Sequence, residues 1–227
     1  MGRKVGLTRA QVVAAAAAVA DGQGLADVSL ATVAATLGVR TPSLYAHVDG
    51  LMGLRRALAQ WAGESLAAYL AAAAVGEPSP AASLRAVARA YRAFARGHPG
   101  LYAALYSTPS VATDPEWAAW TAEPIPVMMA VLTELGATTD RQVHLIHTLR
   151  AVLHGFADLE HSHGFGPTDP IDAAFETALD LVIRALTGEE EVPAGGLNSS
   201  TSNCRHSVPD PEPIEGRQLG DPPGSSR

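Results

Sequence analysis

The side chains with most chemistry to offer in this 227-residue sequence are eight histidines, three tryptophans and five tyrosines, and spacing decides what that chemistry is. Four of the histidines, His144, His147, His154 and His161, fall in one stretch of helical pattern. His147, His154 and His161 stand seven apart, about 10 Å of helix rise per step, so no two of them share an ion without help from another element. His144 with His147 is close enough but makes a poor site as a pair. No metal and no cofactor is expected, and the histidines read better as flanks of a helix-packing or dimer face. The sequence also has no glycine loop to cradle phosphates, no nucleophile elbow and no closed set of metal ligands, so no catalytic residue is expected and an enzyme is the weakest reading.

The elements that must position any site are helical. Alanine and leucine abound, aromatics are 5% of residues, and no segment alternates apolar and polar residues long enough to require a strand. The spacing Thr8-Arg9-Ala10-Gln11 predicts a capping box opening a first helix, which ends at Gly22 to Gly24. Ser29 is the N-cap of a short second helix carrying Leu30, Val33, Ala34 and Leu37, closed by Gly38. Thr41 with Pro42 opens a third, to about Val48, and a long alanine-rich helix follows from Leu51 to Val75. Further helices are expected near 80 to 97, 99 to 107, 114 to 136 with an interruption at Pro124-Ile125-Pro126, 139 to 162 from a capping box at Thr139-Asp140-Arg141-Gln142, and 170 to 187. Beyond Gly188 the composition turns to Pro, Gly, Ser and acids, which bury too little apolar surface to offset chain entropy, and a tail without a fixed fold is expected there.

Composition bounds the rest. A hydrophobic content of 47% is ample for a core. The net charge of -7 is unevenly spread: up to Arg56 six basic residues face three acidic ones, a net of +3, and the remainder carries -10. A basic head on an acidic body hints at nucleic-acid contact at one end. The single Cys204 makes no internal disulfide, no apolar run approaches the roughly 20 residues that span a bilayer, and the start lacks the apolar stretch of a secretory signal. A cytoplasmic protein without membrane contact is expected.

The second and third helices, joined by Gly38-Val39-Arg40-Thr41, have the spacing of a DNA-binding helix-turn-helix, in which the first helix crosses the backbone and the second enters the major groove. An ordinary helical hairpin has the same spacing. The residues add more: VSLATVAATLGVRTPSLYAHVDGLMGLRRALA resembles the N-terminal domain of the TetR (tetracycline repressor) family over about residues 8 to 60, with Ala34, Gly38, Val39, Leu44, Tyr45, His47 and Leu54 in register. TLRAVLHGFADLE resembles the C-terminal domain of one TetR subgroup. The resemblance implies an all-α protein with a three-helix DNA-binding domain over 1 to 50, a ligand-binding and dimerisation domain over 51 to 188, and the tail over 189 to 227. By the same resemblance Arg40, Thr41, Pro42 and Ser43 face base edges, Tyr45 and His47 hold phosphates, and Leu44 packs inward. Two departures stand out. Leu51 occupies the place where many relatives have a phosphate-binding lysine, with Arg55 or Arg56 as substitutes or Leu51 packing inward instead, and Ala31 stands where some have a base-reading arginine.

The resemblance also implies a small-molecule effector entering between helices of the body, where Tyr102, Tyr106, Trp117, Trp120 and Met128, with Met129, lie around the Pro124-Ile125-Pro126 break. It implies a homodimer formed by the last two long helices, the final one with the stripe Ala174, Ala178, Leu181, Val182 and Ala185. The expectation is a repressor that binds a palindromic operator in double-stranded DNA as a homodimer and is released by a ligand. The alternative is a helical small-molecule binding protein whose head has lost DNA affinity, for which Leu51 and Ala31 speak.

Overall fold

The structure, a computed structural model, describes residues 6–106, 114–166 and 168–187. Among them the regular elements are all helical: α1 (Arg9–Gln23), α2 (Leu30–Leu37), α3 (Gly50–Ala74), α4 (Pro80–Gly97), α5 (Pro99–Tyr106), α6 (Pro115–Ala122), α7 (Ile125–Glu134), α8 (Thr139–His161) and α9 (Ile171–Thr187), with 3-10 segments at Leu25–Asp27 and Thr41–Ala46. The expected tail and Cys204 lie outside the described residues.

Local chemistry explains most of the boundaries. Thr8 and Gln11 form the expected capping box, Gln11 N–H donating to Thr8 Oγ1 at 3.2 Å and Thr8 N–H to Gln11 Oε1 at 2.9 Å. Ser29 caps α2 in the same way with Thr32 as its partner, and Gly38, at φ 65°, closes it in the left-handed region. The box expected at Thr139 is not the one used. The N-cap of α8 is Thr138, and the buried Gln142 amide turns to the preceding turn, donating to Thr133 Oγ1 at 3.0 Å and Ala137 O at 2.9 Å. A buried amide gains more from closing the α7–α8 corner than from a helix end that water serves.

One continuous apolar cluster runs from Val12 in α1 to Ile183 in α9. The central helix α3 packs against α1, α4, α5, α6 and α7. The contact between α1 and α5 is close: a Cβ on Gly100 would lie inside the van der Waals radii of the Ala20 carbonyl carbon and oxygen. Asp21 seals this junction, its Oδ1 accepting from Leu101 N–H at 3.0 Å and its Oδ2 lying 3.0 Å from His98 Nδ1. Because both obstructing atoms are backbone, Gly100→Ala is expected to destabilise the protein by about 1–3 kcal/mol. Urea unfolding measures it, and an unchanged midpoint would show that the two helices separate freely.

A ladder of arginines on α4 fastens the C-terminal helices. Arg85 pairs with Asp180 at 2.6 Å and Arg89 with Glu176 at 2.8 Å, both exposed enough that water screens them. Arg92 differs. It is buried, donates to both oxygens of the nearly buried Glu160 at 2.6 and 2.7 Å, pairs with Asp172 at 2.7 Å, and lies 4.7 Å over the Phe175 ring. Truncation leaves the desolvated guanidinium only the exposed Asp172 and the Phe175 ring, so Glu160→Ala is expected to cost up to about 3–5 kcal/mol in urea unfolding. Glu176→Ala, at the exposed end of the ladder, is expected to cost about 1 kcal/mol or less.

Candidate functional site

The segment after Gly38 is more tightly wound than an α-helix. Thr41–Ala46 is a 3-10 helix, with bonds that close over three residues at both ends: Ser43 N–H to Arg40 O and His47 N–H to Leu44 O, each at 2.9 Å. Val48 N–H returns to Leu44 O in the α pattern, at 3.1 Å. Leu44 is fully buried and anchors the segment, as the sequence implied. Around it Arg40, Pro42 and Ser43 are exposed, Tyr45 is 59% exposed, and Thr41 and His47 are half-buried. Arg40 makes no ion pair or side-chain hydrogen bond among the described residues, so its guanidinium fork is available to an outside acceptor.

At the neighbouring end of α3, Leu51 and Met52 are exposed. The two arginines that follow differ in state. Arg56 donates from Nη1 to Glu116 at 2.8 Å and from Nη2 to Asp114, the residue that also caps α6. Arg55 is half-buried, and its Nε has no partner. Between these parts lies a cleft of about 400 Å³ whose lining includes Arg9, Tyr45, His47, Arg56, Glu116 and Trp120.

The five body residues expected to meet a ligand fall into two groups. Trp117 is buried and donates Nε1–H to Leu105 O at 3.3 Å, with the Trp120 ring 5.8 Å away. α6 lies so close to α3 that a Cβ on Gly63 would overlap the Trp120 carbonyl oxygen. Met128 is buried on α7. Tyr102 and Tyr106, their rings 4.9 Å apart, belong to another cluster with Tyr91 and His154. Tyr91 and Tyr102 are buried, and Tyr106 and His154 half-buried. Burial pushes the Tyr91 and Tyr102 hydroxyls well above the usual tyrosine range and holds the His154 imidazole below the usual histidine range, so all three are neutral at neutral pH. A further cavity, of about 760 Å³, lies elsewhere, between the C-terminal ends of α4 and α8 and the turn before α9, lined by residues that include Arg96, Glu160, His163 and Phe165.

Sequence reasoning passed over Tyr91 and Arg56's acidic partners, and it placed His154 on a packing face. Helical spacing shows which residues share a face but not which other helix meets it. On α8 the apolar residues Ile146, Leu149 and Leu153 are buried, while Val143 is 52% exposed.

The chain is similar to known proteins across most of its length. The tetracyclin repressor-like C-terminal domain family matches residues 84–182. An uncharacterized HTH-type transcriptional regulator of Mycobacterium tuberculosis, Rv0681, is 33% identical over 201 residues, covering 88% of this chain and 89% of that one. YobS of Bacillus subtilis, also an uncharacterized HTH-type transcriptional regulator, is 33% identical over 188 residues, covering 82% of this chain and 96% of its own length. Among solved structures, SCO7222, a TetR transcriptional regulator from Streptomyces coelicolor, has the same fold at a TM-score of 0.64 and 17% identity, covering 80% of this chain and 98% of that one. Helix-turn-helix geometry, a buried Leu44 anchor, a helical body and two relatives at 33% identity converge on one conclusion: the chain belongs to the TetR family of HTH-type transcriptional regulators.

Proposed function

We propose that the protein is a ligand-responsive repressor, a homodimer whose two heads hold the half-sites of a palindromic operator and let go when a small molecule enters the body. The observation that carries the DNA reading is the unpaired Arg40 standing with exposed Pro42, Ser43 and Tyr45 on a segment pinned by Leu44. In this reading Arg40 takes guanine O6 and N7, Thr41 and Ser43 contribute hydroxyls, and Pro42 meets thymine methyl groups. Tyr45 and His47 fix register on phosphates, and Arg55 is the better substitute for the missing lysine, because Arg56 is engaged by Asp114 and Glu116.

The Arg56 pairs also support a route from body to head, since α6 and its N-cap Asp114 supply the acids that hold Arg56, and α6 carries two of the proposed ligand residues, Trp117 and Trp120. A ligand that moves α6 acts on α3 through that clasp and shifts the balance of the two states by its differential affinity for them. Among the described residues no helix is long and apolar enough to cross a membrane, which fits a regulator working on DNA. The test is a gel shift on the DNA upstream of the chain's own gene, together with selection from random duplexes. A retarded, salt-sensitive band with a recovered inverted repeat is the expected result. Absence of any sequence preference in both assays overturns the reading.

A further inference from the structure

The tyrosine–histidine cluster is wired in one direction, and that direction leaves two functions over. Tyr91 Oη donates to Tyr106 Oη at 3.3 Å. A neutral phenol has one hydrogen, so the 3.1 Å contact between Tyr91 and Tyr102 is filled by the Tyr102 hydrogen. Tyr102 then has none left for His154, and the contact between its oxygen and His154 Nδ1 is filled by Nδ1–H. One order of donation fills every contact: His154, Tyr102, Tyr91, Tyr106. A neutral imidazole with its proton on Nδ1 has a bare Nε2, an acceptor, at the start of the chain. At its end the Tyr106 hydrogen has no partner among the described residues. The two ends are neighbours in space, with the Tyr106 and His154 rings 4.9 Å apart, so the chain doubles back, and both terminal residues are half-buried and keep solvent-accessible surface. Tyr91 comes from α4, Tyr102 and Tyr106 from α5 and His154 from α8, so three helices are needed to build it.

We propose that this chain is the polar end of the effector site and that it selects a small, mainly apolar molecule bearing an acceptor and a donor side by side, as in a primary amide: Tyr106 O–H donates to the carbonyl and His154 Nε2 accepts from the N–H. The inference rests on the ligand-responsive reading above and deepens it by naming the ligand's chemical class. A site built to satisfy a polar group discriminates strongly against an analogue lacking it, because its own buried groups are left unpaired. The hydroxyl chain holds the imidazole in the tautomer that is the less favoured one in water, which a merely structural histidine has no need of.

Two measurements test it on the full chain. The first needs no ligand: in ¹⁵N spectra of histidine-labelled protein at neutral pH, His154, identified by its loss in H154N, is expected to carry its proton on Nδ1 alone. A proton on Nε2, or on both nitrogens, overturns the proposal. The second is titration with phenylacetamide and N,N-dimethylphenylacetamide, the latter keeping the carbonyl but lacking the N–H. The wild-type protein is expected to bind the first at least about tenfold more tightly, the worth of one buried hydrogen bond. Y106F weakens both probes by a similar factor. H154N, whose amide still donates to Tyr102 but offers no acceptor at the Nε2 position, weakens only phenylacetamide. Equal affinity for the two probes, or binding of neither, overturns the proposal. Operator release is followed separately: probes that bind in this pattern without releasing DNA refute the effector reading and leave the site standing. A releasing compound whose affinity is untouched by Y106F and H154N refutes the site and leaves the effector reading.

Discussion

Arg40→Ala is expected to lower affinity for the selected operator by at least about 30-fold, while binding to unrelated duplex changes only a few-fold. The size follows from counting. A bidentate arginine–guanine contact is worth about 1–3 kcal/mol of discrimination, and a homodimer makes it twice, so the total is roughly 2–6 kcal/mol. The side chain is exposed, caps the 3-10 segment through its backbone only, and makes no side-chain hydrogen bond, so the protein's stability is expected to stay within about 0.5 kcal/mol of the wild type. Arg40→Lys separates charge from geometry. It keeps the cation and the salt slope but loses the planar fork, so specificity falls while non-specific affinity holds. Tyr45→Phe is the contrast, since a lost phosphate bond weakens all sequences about equally. Fluorescence anisotropy with operator and scrambled duplexes checks all three. If R40A reduces both duplexes in parallel, the residue is a phosphate contact and the base-reading role is wrong.

The differing legibility of the two sites has a physical cause. The head is built from local signals. Thr8 with Gln11, Ser29 with its backbone bond to Thr32, and Gly38 at its positive φ all act within four residues, so their meaning is complete in the sequence. Even there the pitch of Thr41–Ala46 was not legible. Pro42 signals a helix start equally well for an α-helix and a 3-10 helix, and the buried Leu44 is compatible with both. In the body the contacts that matter join residues 52 to 68 positions apart: Tyr102 with His154, Arg56 with Asp114 and Arg92 with Glu160. No periodicity encodes such a pairing. His154 fits the α8 pattern as a flank of the apolar stripe, and only the arrival of α5 turns it into the head of a hydrogen-bond chain. Likewise Gln142 matches a capping box by spacing, yet burial sends its amide to Thr133 and Ala137.

The second large effect concerns the face that this chain leaves uncovered. On α9, Phe175, Leu179 and Ile183 follow at i, i+4 and i+8 and are buried against the chain's own body. That accounts for one stripe of the helix, but its apolar surface extends further: Ala178 and Val182 are half-buried, Val182 against the core, and Ala174, Leu181 and Ala185 are exposed, Leu181 at 63%. On α8 the exposed Val143, Ala151 and Leu159 are further apolar residues outside the buried core. A helix whose apolar surface extends past its own body has a further partner, and a second copy of α8 and α9 supplies the missing one in the proposed homodimer. Leu181→Glu is therefore expected to yield a monomer by analytical ultracentrifugation at micromolar concentration. Because Leu181 is largely exposed within one protomer, helix content and the Arg92–Glu160 clasp have no reason to change. Operator affinity falls by at least about 100-fold, since each head then binds its half-site alone and the gain from linking two sites is lost. The same variant joined as a disulfide-free tandem dimer through a flexible linker is expected to recover most of that affinity, because linkage restores the effective concentration without the interface. A variant that stays dimeric, or a monomer that holds the operator as tightly as the wild type, places the interface elsewhere.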